Sequence, residues 1–111
     1  MIKTMGNYKT LFNETRSRLQ NGAAKNPVMV SVSSQWTGGF RSTVSIRDFD
    51  ISTDQPQSFG GSNTGPKPSE IVLAALAACQ EVTYRLYVDT LSIPLNEVRV
   101  ELNGLQDLRG F

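Results

Sequence analysis

Pro68-Ser-Glu-Ile-Val-Leu-Ala-Ala-Leu-Ala-Ala-Cys79 is the stretch that decides the fold. Proline suits the first position of a helix, where its missing N–H costs nothing. Glu70 then falls in the first turn, where the helix dipole favours a negative charge. From Ile71 to Cys79 no polar side chain interrupts the run, so this half of the helix is apolar all round and has to be covered on every side. The alanines let other backbones approach closely. Past Gln80-Glu81 the helix is expected to continue to about Thr90 and to break before Pro94. The run from Ile71 to Cys79 is far shorter than a membrane span, so no membrane partner is expected.

Upstream of this helix the pattern changes period. Ser58 to Pro68 reads as a loop rich in glycine, serine and proline. Before it, Val28, Val30, Val32 and Trp36 alternate with Met29, Ser31, Ser33 and Gln35, the signature of a half-buried strand. Gly38-Gly39 supplies a hairpin turn, since glycine accepts the positive φ such turns need. Phe40, Val44 and Ile46 alternate with Arg41, Thr43, Ser45 and Arg47 in a second strand, and Phe49, Ile51 and Thr53 mark a short third one. Three consecutive strands with tight connections make an antiparallel meander.

At the N-terminal end Asn7 is a suitable cap, and Tyr8, Leu11, Phe12 and Leu19 recur at helical spacing until Asn21-Gly22. This predicts an amphipathic helix from about Tyr8 to Gln20, within an N-terminal extension of residues 1–24. Downstream, Val98, Val100 and Leu102 alternate with Arg99 and Glu101, which predicts a fourth strand. The order αβββαβ defines an α+β class, as one domain over residues 1–111. One thin sheet covers one side of an apolar helix and no more. The missing cover is expected from a partner chain, from further sequence, or from both. The stop at Gly110-Phe111 reads as a cut rather than a natural end.

Composition narrows the chemistry. With 11 Lys and Arg against 10 Asp and Glu, the net charge of +1 gives no basic patch for a nucleic acid. Histidine is absent, which removes Ser-His-Asp and Cys-His catalysis and histidine metal sites. The single cysteine excludes an intramolecular disulfide and fits a reducing cytoplasm. No cofactor and no metal is implied. The start, Met1-Ile-Lys-Thr-Met-Gly6, lacks the apolar core of a secretory signal. The glycosylation triplet Asn13-Glu14-Thr15 falls in a predicted helix and reads as chance.

Each candidate site residue has a plain structural role to set beside a chemical one. A cysteine in an apolar helix is usually a small buried hydrophobe. Cys79, however, stands where the apolar run gives way to Gln80-Glu81, at the edge of a possible pocket. Glu70 is accounted for as a first-turn charge. Arg41 and Arg47, on the polar side of the second strand, are accounted for as solvated cations. Gly60 to Lys67 invites a phosphate-loop reading but fails it: Pro66 stands where the motif needs lysine, and proline lacks the N–H a phosphate would use.

Taken together, Asp54 to Cys79 resembles the central signature of the OsmC/Ohr-like family: an acidic-Pro loop, a glycine-rich turn, Pro-x-Glu, and a helix ending Ala-Ala-x-x-Ala-Cys. Ile93-Pro-Leu-x-x-Val-x-Val-Glu101 and Asp107-Leu-Arg-Gly-Phe111 are similar to one branch of it. The resemblance runs from about Val28 onward. It implies an intertwined homodimer with the central helices buried at its heart. It also implies reduction of organic hydroperoxides by a reactive cysteine, here Cys79, with an external dithiol as reductant. A glutamate and an arginine of the family keep the thiolate ionised and oriented, since thiolate is the nucleophile and a neighbouring cation favours it. Glu70 and Arg41 are the matching positions, with Arg47 behind Arg41.

Two departures stand out. Family peroxidases carry the glutamate one residue earlier, where this chain has Ser69, and one residue turns a helical side chain by about 100°. They also resolve the oxidised cysteine with a second thiol, which this sequence lacks. A cut ahead of a second cysteine is the first explanation of that absence, use of an external thiol a second and loss of peroxidase function a third; the rival reading is a non-catalytic OsmC-like dimer, binding or structural, with an inert cysteine. Hydrolase chemistry is weaker still, since there is neither histidine nor a Gly-x-Ser-x-Gly elbow.

Overall fold

The computed structural model describes residues 7–22 and 27–110. The remaining residues, part of the expected N-terminal extension and Phe111 among them, lie outside this description. The elements are α1 (Lys9–Gln20), β1 (Ser33–Gly38), β2 (Arg41–Ile46), β3 (Phe49–Thr53), a 3₁₀ turn (Gln57–Phe59), α2 (Pro68–Thr90) and a second 3₁₀ turn (Leu108–Gly110). The class is α+β, with one three-stranded antiparallel sheet and two helices, one of them long and apolar. The chain divides into two compact units. One contains the sheet and the loop up to the start of α2, Met29–Ala74; the other joins Met1–Val28 to Ala75–Phe111.

In the sheet unit the strand order is β1-β2-β3. The pairs Ser34–Val44–Ile51 and Ile46–Phe49 set the apolar side chains on one face, as strict alternation requires. The register slips by one residue between Trp36 and Gly38, a bulge at Thr37. Gly38 (φ 120°) and Gly39 (φ 55°) carry the hairpin turn, as their sequence predicts, and the Trp36 indole N–H donates to the Gly39 carbonyl at 2.8 Å. The second turn is less conventional. Arg47 takes a φ of 53°, which an L-residue adopts at a cost, and its guanidinium lies over the Phe49 ring at 5.2 Å. Arg47 thus belongs to the turn, not to the polar face of β2.

Two strand expectations are corrected. β1 begins at Ser33 rather than Val28, because its last ladder pair is Ser33–Ser45 and β2 ends one residue later. Val28, Met29, Val30 and Val32 run on without a ladder neighbour and are exposed. The fourth strand, and with it the final β of αβββαβ, is absent among the described residues. Val98, Val100 and Leu102 are half-buried and alternate with exposed Arg99 and Glu101, so the predicted period is present. Arg99 and Glu101 pair side by side at 2.7 Å. What is missing is a second strand, and a strand is defined by the ladder it joins.

In the other unit α1 is capped from two sides. The capping position is Tyr8, one residue later than the Asn7 suggested by the sequence, and Asn7 Oδ1 accepts the Lys9 N–H at 2.9 Å. Asp89 Oδ2 accepts the Tyr8 N–H at 2.8 Å, so a carboxylate of α2 sits at the positive end of α1. Arg85 pairs with Asp89 at 3.4 Å and lies over the Tyr8 ring, while Phe12 meets Tyr87 edge-on at 5.3 Å between centroids. Asp89→Ala should remove the cap and the ion pair together. Amide exchange across Lys9–Gln20 should then quicken by about tenfold while the sheet amides stay unchanged. Unchanged exchange in α1 would assign its order to the Asn7 bond and the aromatic contacts instead.

α2 begins at Pro68 and ends at Thr90, as read from the sequence. Ser92 follows with φ 56°, and the Ile93 N–H bonds back to the Val88 carbonyl, closing the helix before Pro94. At 23 residues, α2 is long and apolar enough by length and composition to cross a membrane. Ile71–Cys79 carries that composition, since Gln80, Glu81, Arg85 and Asp89 interrupt the second half. The core helix of a soluble protein passes the same test. Among the described residues no hydrophobic side chain is buried, and Val72, Leu76, Val82, Tyr84 and Tyr87 of α2 are all exposed. The apolar surface of α2 is thus without cover among the described residues.

Candidate functional site

The segment leading into α2 is built around one carboxylate. Asp54 is fully buried, one of two buried polar residues among those described. Its Oδ1 accepts the Gln55 N–H at 2.7 Å. Its Oδ2 accepts the N–H groups of Ser62 (3.2 Å) and Thr64 (3.1 Å) and the Thr64 hydroxyl (2.8 Å). Burial alone pushes the Asp54 carboxyl up. The bonds from Thr64, Gln55 and Ser62 more than offset this and hold it at about 2, against an ordinary 3.8. Asp54 was not singled out in the sequence reading. The available signal was an acidic residue ahead of a glycine-rich loop whose free N–H groups need an acceptor.

Backbone bonds complete the clasp: Asp54 N–H to the Pro66 carbonyl, Asn63 N–H to Gln55, and Gly61 N–H to Pro56. Two glycines are required by close approach. A Cβ on Gly61 would stand 2.0 Å from the Gln55 carbonyl oxygen, and one on Gly65 would stand 2.4 Å from that of Ser52. The loop glycines thus serve backbone packing, in keeping with the rejection of a phosphate site.

The clasp delivers the chain to Lys67, and there Glu70 acts. Its Oε1 accepts the Lys67 N–H at 2.8 Å. Pro68, Ser69 and Glu70 are the first three residues of α2, so this is the backward half of a capping box, with Lys67 at the capping position. A lysine there hides the motif from a pattern search that expects serine or threonine.

Cys79 lies in the middle of α2 and is exposed. The Thr83 hydroxyl donates to the Cys79 carbonyl at 3.0 Å, an ordinary intrahelical bond that leaves the sulfur uninvolved. Nine residues of α-helix turn through two and a half revolutions and rise about 14 Å. α2 therefore presents Glu70 and Cys79 on opposite sides, and the helix does not bring them together. Arg41 is the first residue of β2. It is exposed, and its Nε donates to the Gly38 carbonyl at 3.5 Å, at the hairpin end. The three candidates thus occupy a helix start, a mid-helix surface and a hairpin.

The described residues thus form an α+β protein with a sheet meander, a clasped glycine loop and a long apolar helix bearing one exposed cysteine. Residues 60–111 match the model of the OsmC-like protein family. The matched region takes in the end of the clasp, all of α2 and the stretch to the Asp107–Arg109 pair, where Arg109 fastens both oxygens of the Asp107 carboxylate. That hydrogen bonding lowers the Asp107 carboxyl and raises the Arg109 guanidinium. No curated protein matches the chain.

Proposed function

We propose that this chain reduces organic hydroperoxides through Cys79, as a homodimer in which a second copy covers α2. The observation that carries this reading is an exposed cysteine in the family-matched segment, set in a helix whose apolar surface has no cover among the described residues. In the proposed reaction the Cys79 thiolate attacks the distal oxygen of R–O–O–H. The S–O bond forms as the O–O bond breaks, and the alkoxide takes a proton and leaves as alcohol. The sulfur, now a sulfenic acid, has gained the oxygen. A dithiol returns it to thiol, releasing water and becoming a disulfide. The apolar run Ile71–Ala78 ahead of the cysteine favours a hydroperoxide with an apolar tail. No metal or organic cofactor takes part, and the protein works in a reducing, cytoplasmic setting.

Arg41 and Glu70 are proposed as the charged groups beside the thiolate. Since α2 holds Glu70 on the side opposite Cys79, Glu70 can serve the sulfur only across an interface between copies, and exposed Arg41 is proposed to do the same. The rival reading has its own support: Glu70 is already employed as a helix cap. On that reading the protein is a non-catalytic OsmC-like dimer.

Incubation with an apolar hydroperoxide and a dithiol separates the two. The proposed function predicts peroxide loss that needs both protein and dithiol and continues past one equivalent per chain. Loss no faster than with dithiol alone would leave the non-catalytic dimer.

A further inference from the structure

The sequence holds two Asn-Gly pairs, Asn21-Gly22 and Asn103-Gly104, and both asparagines are exposed. The structure treats them differently. At the first pair the Asn21 N–H bonds to the Ser17 carbonyl at 3.0 Å and the Gly22 N–H bonds to the Leu19 carbonyl at 3.3 Å. The Asn21 side-chain amide also donates to the Ser17 hydroxyl at 3.4 Å. Both the nitrogen that would attack and the amide that would leave are therefore held in the helix end. Asn103 and Gly104 lie outside any helix, strand or turn, and among the described residues neither the Gly104 N–H nor the Asn103 amide has a hydrogen-bond partner.

From this contrast the geometry points to Asn103-Gly104 as a site of spontaneous deamidation, with Asn21-Gly22 protected. The Gly104 amide nitrogen loses its proton and bonds to Asn103 Cγ. The Cγ–Nδ2 bond breaks, and ammonia leaves with a proton. The resulting five-membered imide takes up water at either of its two carbonyls, giving aspartate or isoaspartate. Nothing is oxidised or reduced, and water is the only co-reactant. Glycine is the residue that permits the ring to close without a side chain in the way. The product carries a new negative charge two residues from Glu101, and the isoaspartyl form adds a backbone methylene next to the alternating stretch Val98–Leu102. This site is independent of the thiol chemistry.

Peptide mapping by mass spectrometry of the folded protein, held in mildly alkaline buffer, tests the proposal. Conversion at Asn103 should exceed that at Asn21 by about tenfold, the effect of one retained hydrogen bond on the attacking N–H. Gly104→Ala should slow conversion at Asn103 and leave Asn21 unaffected. Equal rates, a faster Asn21, or no conversion at Asn103 while the denatured chain converts there would each overturn the assignment.

Discussion

Cys79→Ser should lower the rate of hydroperoxide loss by about a thousandfold or more, while leaving the fold and the oligomeric state unchanged. The size of the effect follows from the chemistry. A serine hydroxyl is not ionised near neutral pH and forms no counterpart of a sulfenic acid, so the variant loses the nucleophile itself rather than an aid to it. The intact fold follows from the structure. The side chain is exposed, serine is close to isosteric, and the Thr83 hydroxyl bonds to the carbonyl of residue 79, which the substitution keeps. Peroxide loss under dithiol, circular dichroism and sedimentation on the same samples check all three parts. Retained consumption would remove Cys79 from its proposed role. A variant that no longer assembles would show instead that the thiol is a packing group.

The second large effect is structural and lies at Asp54. Asp54→Ala strips the acceptor from three backbone N–H groups and one hydroxyl gathered around a fully buried carboxylate. A buried donor left without a partner costs more than the bond was worth. Amide exchange at Ser62 and Thr64 should quicken by about a hundredfold, and the entry to α2 should loosen with it. Asp54→Asn keeps one oxygen but turns an NH₂ toward N–H donors, so it should recover part of the loss and no more.

The same carboxylate sets an acid dependence. Its value falls from 3.8 to about 2 on folding, so the folded state binds the proton less readily than the unfolded chain. The stabilisation is complete above about pH 4 and is lost as pH falls through about 2. Denaturant midpoints measured from neutral pH downward should show wild type converging on Asp54→Asn across that window. Curves that run parallel to the lowest pH would rule out the depressed carboxyl as the cause.

Where the fold was legible in the sequence, the reason was local. Pro68 and Glu70 marked the start of α2, and Gly38-Gly39 marked the hairpin. These are conformational requirements that a residue carries wherever it goes. Both strand failures concern partners. Val98, Val100 and Leu102 alternate as a strand should, yet no described residue offers them a ladder. Val28 to Val32 extend past the end of β2 for the same reason.

The candidate site divides along the same line. The place of Cys79 on an apolar helix could be read from the sequence, and the structure has it there, exposed. Asp54 could not be ranked, because its importance comes from donors up to ten residues away that converge only in the folded loop. Glu70 shows the reverse: its signature suggests chemistry, while its geometry employs it as a cap. Which groups face the sulfur depends on whatever covers α2, and one chain's sequence does not write that down.

The claim that Cys79 is a reachable nucleophile has a direct test in trapping its oxidised form. The assembled protein is treated with one equivalent of an apolar hydroperoxide, without dithiol, and then with a sulfenic-acid-selective dimedone probe before peptide mass analysis. The account predicts one probe adduct per chain, on Cys79, with one equivalent of alcohol released. An unlabelled, fully reduced Cys79 alongside undiminished hydroperoxide would contradict it.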